Sequence, residues 1–288
     1  MRQWRAVPEL PEVESVRRQL APRLQGRRIL SVSAQPQARF HAVEKAAGRR
    51  VLDLRRRGKY LLAPIDGGLE LIVHLGMTGS FRFRGGADGW QPDPYVRATF
   101  TLSQPADPGS DADPDLHNSE LDFRDVRRFG TLAVVATGDY SALATLAALG
   151  PEPLSDDFDP LRFHTALAAS RMAVKPYLLT QRPVAGVGNI YADEALWRAR
   201  INPHARRVGR ERSATLWTAI REVLAEAIER EGTTFRDYRM VNGESGRNAD
   251  FLVAYGQAGR ACPRCGTALR KVVLGGRGTT YCPWCQRR

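Results

Sequence analysis

Residues 262–285 read CPRCGTALRKVVLGGRGTTYCPWC and contain all four cysteines of the 288-residue chain. The pairs Cys262/Cys265 and Cys282/Cys285 are separated by 16 residues, a spacing typical of a structural zinc site. Each pair makes a tight turn that presents two thiolates, and two such turns complete a tetrahedron. Two disulfides are the alternative, but the absence of a secretion signal argues against an oxidising compartment. We therefore predict one structural zinc ion per chain, held by four cysteines, and no organic cofactor.

The chain is strongly basic, with 43 Lys and Arg against 31 Asp and Glu, a formal charge of +12 and a pI near 10.1. The segment from Phe251 to Arg288 contains seven basic residues and no Asp or Glu. A solvated basic surface, or a tail that visits anionic membranes, would have the same composition. We favour a polyanion partner, nucleic acid above all, because arginine pairs with phosphate as a planar fork.

Length and hydropathy exclude some classes of protein. At 288 residues the chain is long enough for one large or two medium domains with their own cores. No apolar run approaches the roughly 18–20 residues that cross a bilayer. Residues 1–10 contain no continuous apolar stretch that could serve as a signal peptide. We expect a protein of the cytoplasm without a membrane partner.

The character of the sequence changes along the chain. A helix is predicted for Pro11–Leu24, followed by short β-branched or alternating runs typical of a β-sandwich or barrel. The runs are Ile29–Val32, Val51–Leu54, Tyr60–Pro64, Leu69–Leu75, Ala98–Leu102 and Thr131–Val135. The segment from Gln104 to Glu120 is acidic and rich in Pro, Gly and Ser, and is predicted to be a long hairpin loop.

Pro151-Glu-Pro153 marks a boundary, after which the sequence becomes helical. The predicted helices are Asp159–Ala169, Met172–Thr180, Gly188–Arg200 and Ser213–Glu229, the last with Ser213 as N-cap. A Gly-rich loop from Val241 to Gly246 leads into the cysteine module. We therefore predict domains over residues 8–150, 151–250 and 251–288.

Five further motifs occur in a fixed order. The first is Pro8-Glu9-Leu-Pro-Glu12-Val-Glu, and the others are Arg57-Gly-Lys59-Tyr-Leu-Leu, His74-Leu-Gly-Met77-Thr-Gly, Arg127-Arg128-Phe129-Gly, and Gly186-Val-Gly-Asn189-Ile-Tyr-Ala-Asp. Together with the cysteine module and its Arg277, they resemble the formamidopyrimidine-DNA glycosylase family. The resemblance covers residues 8 to 288.

The resemblance implies an α+β multidomain fold. An N-terminal β-sandwich with a flanking helix would be followed by a helical helix–two-turn–helix domain and a C-terminal zinc-finger β-hairpin. Double-stranded DNA containing oxidised bases would occupy the basic cleft between the lobes. The resemblance also implies a bacterial enzyme that acts as a monomer near the nucleoid, excises oxidised purines and then cuts the strand at the abasic site.

The family's catalytic residues match four positions. Pro8 would attack the sugar C1′ through its amine, and Glu9 beside it would be the general acid/base. Lys59 would contact phosphate and donate a proton in the first elimination, and Arg277 would assist the second. Glu12 is a weaker candidate that could simply stabilise the first helical turn. Taken alone, Lys59 belongs to a solvated basic run.

The remaining matches concern DNA. Met77 and Phe129 would fill the space left by the flipped base, and Arg127 would pair with the widowed cytosine. Phosphate contacts are expected from Arg128, Arg171, Lys175 and Asn189, the last beside a helix N-terminus. Tyr95 stands where many members have a DNA-contacting histidine.

The sequence departs from the family pattern in several places. Seven residues precede Pro8, so its nitrogen is a tertiary amide that cannot form an iminium. Translation starting at Val7, or a proteolytic trim, would restore the amine. Val126 replaces the usual proline, and the loop Ser245-Gly-Arg-Asn248 differs from the usual sequence, which leaves the lesion preference open.

Two other functions stay open at this point. An endonuclease VIII-like enzyme would prefer oxidised pyrimidines, but Leu10 and the pairing of Arg127 with Phe129 favour the purine branch. A non-catalytic zinc protein that only binds damaged DNA would be favoured if the segment before Pro8 is retained.

Overall fold

The structure is a computed structural model that describes residues 8–84, 93–104, 119–233, 241 and 245–287. Most of the predicted loop between Gln104 and Glu120, and residues 242–244 of the predicted Gly-rich loop, lie outside these ranges. In the part of the chain that is described, no helix has the length and apolar character needed to cross a membrane.

The N-terminal part is a sandwich of two sheets flanked by helix α1 (Leu10–Leu24). One sheet has the order β1-β7-β8-β6, with β1 Ile29–Ala34, β6 Gly79–Arg84, β7 Val96–Leu102 and β8 Glu120–Asp125. The other has the order β2-β9-β5-β4-β3, with β2 Phe40–His41, β3 Arg55–Arg57, β4 Tyr60–Ile65, β5 Leu69–His74 and β9 Thr131–Ala136.

Alternation along the strands places the core between the sheets. Leu61, Ala63 and Ile65 of β4 point into a cluster shared with Phe100 of β7 and with α1. The intervening Tyr60 and Leu62 face a second, smaller cluster that is covered by helix α2 (Ala144–Ala147). A strand buried on both faces has no polar alternation, which explains why β4 has an apolar sequence.

The predicted strands agree with the structure except at two points. Val51–Leu54 forms a single bridge, Val51 to Ile65, and no strand. The sequence analysis also missed the short strands β2 and β3, as well as β6 and β8, whose outward-facing positions are charged. Arg84 forms ion pairs with Glu120 and Asp122 across these two strands.

The helical part consists of α3 (Pro160–Ala169), α4 (Val174–Leu179), α5 (Asn189–Arg198) and α6 (Arg210–Glu229), packed around a second core. Asp159 caps α3 by accepting from the N–H groups of Leu161 and Arg162. The predicted N-cap Ser213 is wrong: α6 begins three residues earlier, after Gly209. Ser213 is buried within the first turn, where its hydroxyl donates to the carbonyl of Gly209 at 3.0 Å.

The C-terminal part is a two-stranded hairpin, β10 (Arg270–Leu274) and β11 (Arg277–Tyr281), followed by the second cysteine pair. Gly275 and Gly276 form the turn with φ of 56° and 74°. Two consecutive positive φ values are the requirement of a tight hairpin turn that matches the strand twist. The turn therefore fixes the register that places Arg277 at the hairpin tip.

Candidate active site and zinc centre

A pocket of about 140 Å³ lies where the three parts of the chain meet. It is lined by Glu9, Lys59, Met77, Leu179, Gly188, Asn189, Ile190, Tyr255 and Arg277. Five of these residues were predicted site residues, and they come from segments far apart in the sequence: Glu9, Lys59, Met77, Asn189 and Arg277. The fold therefore brings the predicted catalytic acid, lysine and arginine to one cavity.

Glu9 is the N-cap of α1 and is buried, directly after the buried Pro8. Its carboxylate accepts from the N–H groups of Gly188 at 2.7 Å and Ile190 at 2.8 Å, at the start of α5. Burial raises the pKa of Glu9, while the charge of Lys59 and these N–H donors oppose the rise. A carboxyl with a raised pKa keeps its proton more readily than an ordinary glutamate, which suits a general acid/base.

Gly188 is required by this arrangement. A Cβ at position 188 would lie 2.3 Å from Cδ of Glu9, well inside van der Waals contact. The N-terminus of α5 can approach the carboxylate only because this residue has no side chain.

Glu12 lies one turn further along α1 and is also buried. It accepts from the N–H of Glu9 at 2.8 Å, the hydroxyl of Tyr191 at 2.5 Å and the N–H of Thr233 at 2.6 Å. Burial, with the negative charge of Glu9, raises the pKa of Glu12 to about 7. Glu12 thus does more than stabilise a helical turn, since it joins α1 to the segment that follows α6.

Lys59 lies in the two-residue turn between β3 and β4, one residue before the strand that it was predicted to open. Glu152 holds this turn by accepting from the N–H of Gly58 at 2.5 Å and from the guanidinium groups of Arg56 and Arg57. Burial lowers the pKa of Lys59, and the charges of Glu9 and Glu12 oppose the decrease. Lys59 is therefore a partly desolvated amine facing two carboxyls and Arg277.

Two turns pack together beside the pocket. Asp125 accepts from the hydroxyl of Thr78 at 2.5 Å and from the N–H of Gly130 at 2.7 Å, so it ties the turn carrying Met77 to the one carrying Phe129. A Cβ at Gly76 would lie 2.5 Å from the backbone of Phe129. The predicted void-filling residues are therefore fixed relative to one another.

Other predicted DNA contacts lie on the exposed side of the second turn and in the segment before β7. The guanidinium of Arg127 lies 4.9 Å from the ring centroid of Phe129, which is 40% exposed. Arg128 is exposed, with φ of 57°. Tyr95 is 39% exposed and lies under the guanidinium of Arg124 at 4.9 Å. All of these side chains are accessible to a ligand.

Tyr255 is a pocket residue that the sequence analysis missed. It follows no recognisable motif, and only the fold brings it to Asn189. Burial, with the charge of Glu9, raises its pKa to about 12, while a hydrogen bond from Asn189 opposes the rise. The Oδ1 atom of Asn189 is buried without a hydrogen-bond partner among the described residues.

The prediction that Lys175 contacts phosphate is wrong. Its ammonium is fully buried and bonds to Asp193 at 2.7 Å, to the carbonyl of Gly278 at 3.1 Å and to the hydroxyl of Thr279 at 2.9 Å. This lysine ties the helical part to the hairpin that carries Arg277. By contrast, Arg171 is exposed in the segment before α4.

The four cysteines converge as predicted. Their sulfurs all lie within 4.8 Å of one another, and those of Cys265 and Cys282 are 3.5 Å apart. A tetrahedral zinc–thiolate site with Zn–S near 2.3 Å has sulfurs about 3.8 Å apart, so the four residues fit zinc. The carboxamide of Gln286 accepts from the N–H of Cys282 and donates to the carbonyl of Ile201, which joins the centre to the helical part.

Comparisons with known proteins agree with this geometry. The formamidopyrimidine-DNA glycosylase N-terminal domain matches residues 7–132, the H2TH domain of the same glycosylase matches 149–239, and the zinc finger found in FPG and IleRS matches 259–288. The four cysteines therefore form the metal site of a zinc-finger domain.

Three relatives cover nearly the whole chain. Formamidopyrimidine-DNA glycosylase from Deinococcus radiodurans is 46% identical over 97% of both chains. The crystal structure of MutM (Fpg) from Thermus thermophilus has 43% identity and a TM-score of 0.86, covering 97% of this chain and 98% of its own. A Lactococcus lactis FPG mutant in complex with Fapy-dG containing DNA has 34% identity and a TM-score of 0.85, covering 98% and 100%. The chain belongs to the formamidopyrimidine-DNA glycosylase family.

Proposed function

We propose that the protein is a bifunctional DNA glycosylase and abasic-site lyase of base excision repair that removes oxidised purines from duplex DNA. The observation that carries the proposal is the pocket that brings together Glu9, Lys59 and Arg277. Pro8 is the residue immediately before Glu9. The purine preference is supported by the relative that binds Fapy-dG, a ring-opened purine. We further propose that it acts on DNA in the cytoplasm as a monomer, since the residues that line the pocket all come from one chain.

The first step uses Pro8 and Glu9. The amine of Pro8 attacks C1′, the glycosidic bond breaks and the damaged base leaves with its electron pair. Opening of the C1′–O4′ bond then gives the iminium, and the proton that O4′ needs comes from Glu9. Burial of Glu9 supports this role, because it raises the pKa and so keeps the carboxyl protonated at higher pH than in water.

The later steps cut the strand. The iminium acidifies the C2′ proton, and its removal expels the 3′ phosphate; a second elimination expels the 5′ phosphate. Lys59 donates a proton in the first elimination, and its lowered pKa makes it a stronger acid than an ordinary lysine. Arg277 at the hairpin tip donates hydrogen bonds to the second departing phosphate.

The exposed side chains hold the opened duplex. Met77 and Phe129 fill the vacated space, and Arg127 donates hydrogen bonds to the orphaned cytosine. The DNA backbone is contacted by Arg128, Arg171, Tyr95 and Asn189. Removing Arg171 should weaken binding to all sequences alike, whereas removing Arg127 should reduce the preference for cytosine opposite the lesion. Identical behaviour of the two variants would contradict this division of roles.

A free amine at Pro8 is essential to this proposal. While residues 1–7 are attached, the nitrogen is an amide, and the protein would bind damaged DNA without cutting it. We propose that Val7 is the translated start and is removed, or that the segment is trimmed. Trapping with borohydride tests this, because it reduces the iminium to a stable bond between enzyme and sugar.

The test compares two proteins on DNA with 8-oxoguanine opposite cytosine. The version that begins Met-Pro8, with its Met removed by the host, should be trapped and should nick the strand. The full-length chain, with its mass verified, should bind but do neither. Glu9→Gln in the short version should lose base excision while retaining some lyase action on a ready-made abasic site. Equal trapping of the full-length chain would refute the role of Pro8 and would make Lys59 the candidate for the attacking amine.

A further inference from the structure

A second basic surface lies at the end of the helical part that is remote from the pocket. The segment from residue 199 to residue 213 reads ARINPHARRVGRERS, with five arginines and a single acid, Glu211. All five guanidinium-bearing residues are exposed, and together they form what we call the arginine patch: Arg200, Arg206, Arg207, Arg210 and Arg212.

Helix geometry sets the distance between the patch and the pocket. Asn189 at the start of α5 lines the pocket, and Arg200 follows the other end of that helix, about 15 Å away. Arg210 begins α6, a helix of 20 residues that extends about 30 Å before the chain reaches Thr233 beneath Glu12. The two ends meet, because Arg212 donates to the carbonyl of Arg200 at 3.2 Å. The patch thus lies on the opposite side of the helical part from the catalytic carboxyls.

The zinc finger adds positive charge to the same surface. Arg264 is stacked on Trp197 at 3.9 Å and donates to the carbonyls of Trp197 and Arg198, so its guanidinium is held beside Arg200. The finger itself contributes no acidic side chain, since residues 251–288 contain neither Asp nor Glu.

Acidic side chains of the protein itself leave most of the charge of the arginine patch unpaired in the described residues. Across the residues that the structure describes, no ion pair involves Arg206, Arg207 or Arg210, whereas Arg198 nearby pairs with Glu222 and Glu226. Arginines at the start of a helix are also repelled by its positive end and destabilise it. An external polyanion would relieve both the mutual repulsion and the interaction with the helix dipole.

We propose that the arginine patch binds a second segment of duplex DNA while the cleft holds the first. Guanidinium groups match phosphate geometry, and several of them on one surface bind the backbone without reading sequence. A second segment held in this way would let the enzyme pass between neighbouring DNA segments during its search. This binding does not depend on the excision chemistry and can be measured apart from it.

The test fills the cleft first. The protein is mixed with one equivalent of a duplex of about 13 base pairs, a little over one helical turn, that carries a tetrahydrofuran abasic analogue. Binding of a fluorescent undamaged duplex of about 30 base pairs is then followed by anisotropy at several salt concentrations. The wild-type complex should bind this second duplex, and its affinity should fall steeply with salt.

Two triple variants make the comparison. The patch variant Arg206→Ser/Arg207→Ser/Arg210→Ser should weaken binding of the second duplex by about tenfold or more. Its slope of log affinity against log salt concentration should be smaller by about 2.7, or about 0.9 per lost contact. The control variant Arg18→Ser/Lys45→Ser/Arg50→Ser removes the same charge from the exposed surface of the N-terminal part. It should change the affinity for the second duplex by less than about twofold. Single-turnover excision on a short lesion duplex should be unchanged in both.

Several results would overturn the proposal. They are a filled wild-type complex that does not bind the second duplex, an equal loss in the two triple variants, and a loss that appears only for long duplexes bound through a central lesion. The last result would assign the patch to the flank of the first duplex. Binding of anionic lipid vesicles without binding of a second duplex would assign it to a membrane surface and would also refute the proposal. Loss of excision in every protein would contradict the proposed function and leave this inference standing.

Discussion

Replacing Lys175 by Met should destabilise the protein strongly while leaving the surface that faces DNA unchanged. The ammonium is fully buried and makes three hydrogen bonds, to Asp193, Gly278 and Thr279. Met has nearly the same length, so the main loss is electrostatic. Of its bonds to described residues, Asp193 would keep only the one from the N–H of Thr280, at 2.9 Å.

The size of the effect follows from the partner that remains. Breaking a buried ion pair by removing one member costs about 3–5 kcal/mol, because the other charge is left desolvated. Burial already raises the pKa of Asp193 to about 7 although Lys175 opposes the rise, and without Lys175 it should rise further. The deficit in stability should therefore be larger at pH 8 than at pH 6, where Asp193 takes up a proton and becomes neutral.

Thermal unfolding followed by circular dichroism, with zinc content measured in parallel, tests this prediction. A loss of about 3–5 kcal/mol corresponds to a decrease in Tm of about 10 °C for a protein of this size. Arg171→Met is the matched control, because it removes the same charge four residues away from an exposed position. The control should change Tm by less than about 2 °C and should weaken DNA binding in a salt-dependent manner. If Lys175→Met behaved like the control in both measurements, the lysine would face DNA and our reasoning would be refuted.

Three further changes have defined outcomes. Cys262→Ser should abolish stoichiometric zinc binding and unfold the C-terminal module, as elemental analysis and proteolysis would report; retention of one zinc would contradict the four-cysteine site. Gly188→Ala should reduce base excision by about 100-fold or more through its clash with Glu9, whereas Gly209→Ala, with no atom within 4 Å of the new methyl, should leave excision intact. Glu12→Gln should flatten the stability profile between pH 4.5 and 7 in urea titrations. The raised pKa of Glu12 contributes about 3 kcal/mol of stability that is present below pH 4.5 and lost as pH rises through about 7. An unchanged slope in the Gln variant would show that Glu12 is already ionised at low pH.

The sequence predicts strands that are apolar on both faces more reliably than strands with one charged face. The apolar runs that form β4, β5 and β9 stand out because they are buried on both faces or nearly so. In β6 the residues Phe81 and Phe83 alternate with Ser80, Arg82 and Arg84, which is also a strand pattern, but its charge density resembles that of a loop. Cross-strand pairing with acids of β8 stabilises these charges, and a single segment cannot reveal its partner.

Site residues that belong to sequence motifs could be predicted. Residues whose role depends on whether the side chain is buried could not. The motif residues Glu9, Lys59 and Arg277 do meet at one pocket. The family resemblance assigned Lys175 to a DNA phosphate, but its partners within the protein lie 18 to 104 residues further along the chain. Tyr255 has no motif at all. Whether a charged side chain points to solvent or to a distant carboxylate is settled by tertiary packing, which local sequence does not encode.

The proposed acid–base chemistry of the pocket depends on the docking of the two lobes. Glu9 and Lys59 belong to the N-terminal part, yet the N–H groups that bind Glu9 come from α5, and Glu152, at the start of the helical part, holds the turn that carries Lys59. Burial raises the pKa of one group and lowers that of the other, so the two pKa values approach each other. Separating the lobes would hydrate both side chains and return both pKa values towards their ordinary range. In the proposed function, Glu9 and Lys59 therefore have the pKa values that proton transfer requires only while the carboxylate of Glu9 is bound to the N-terminus of α5.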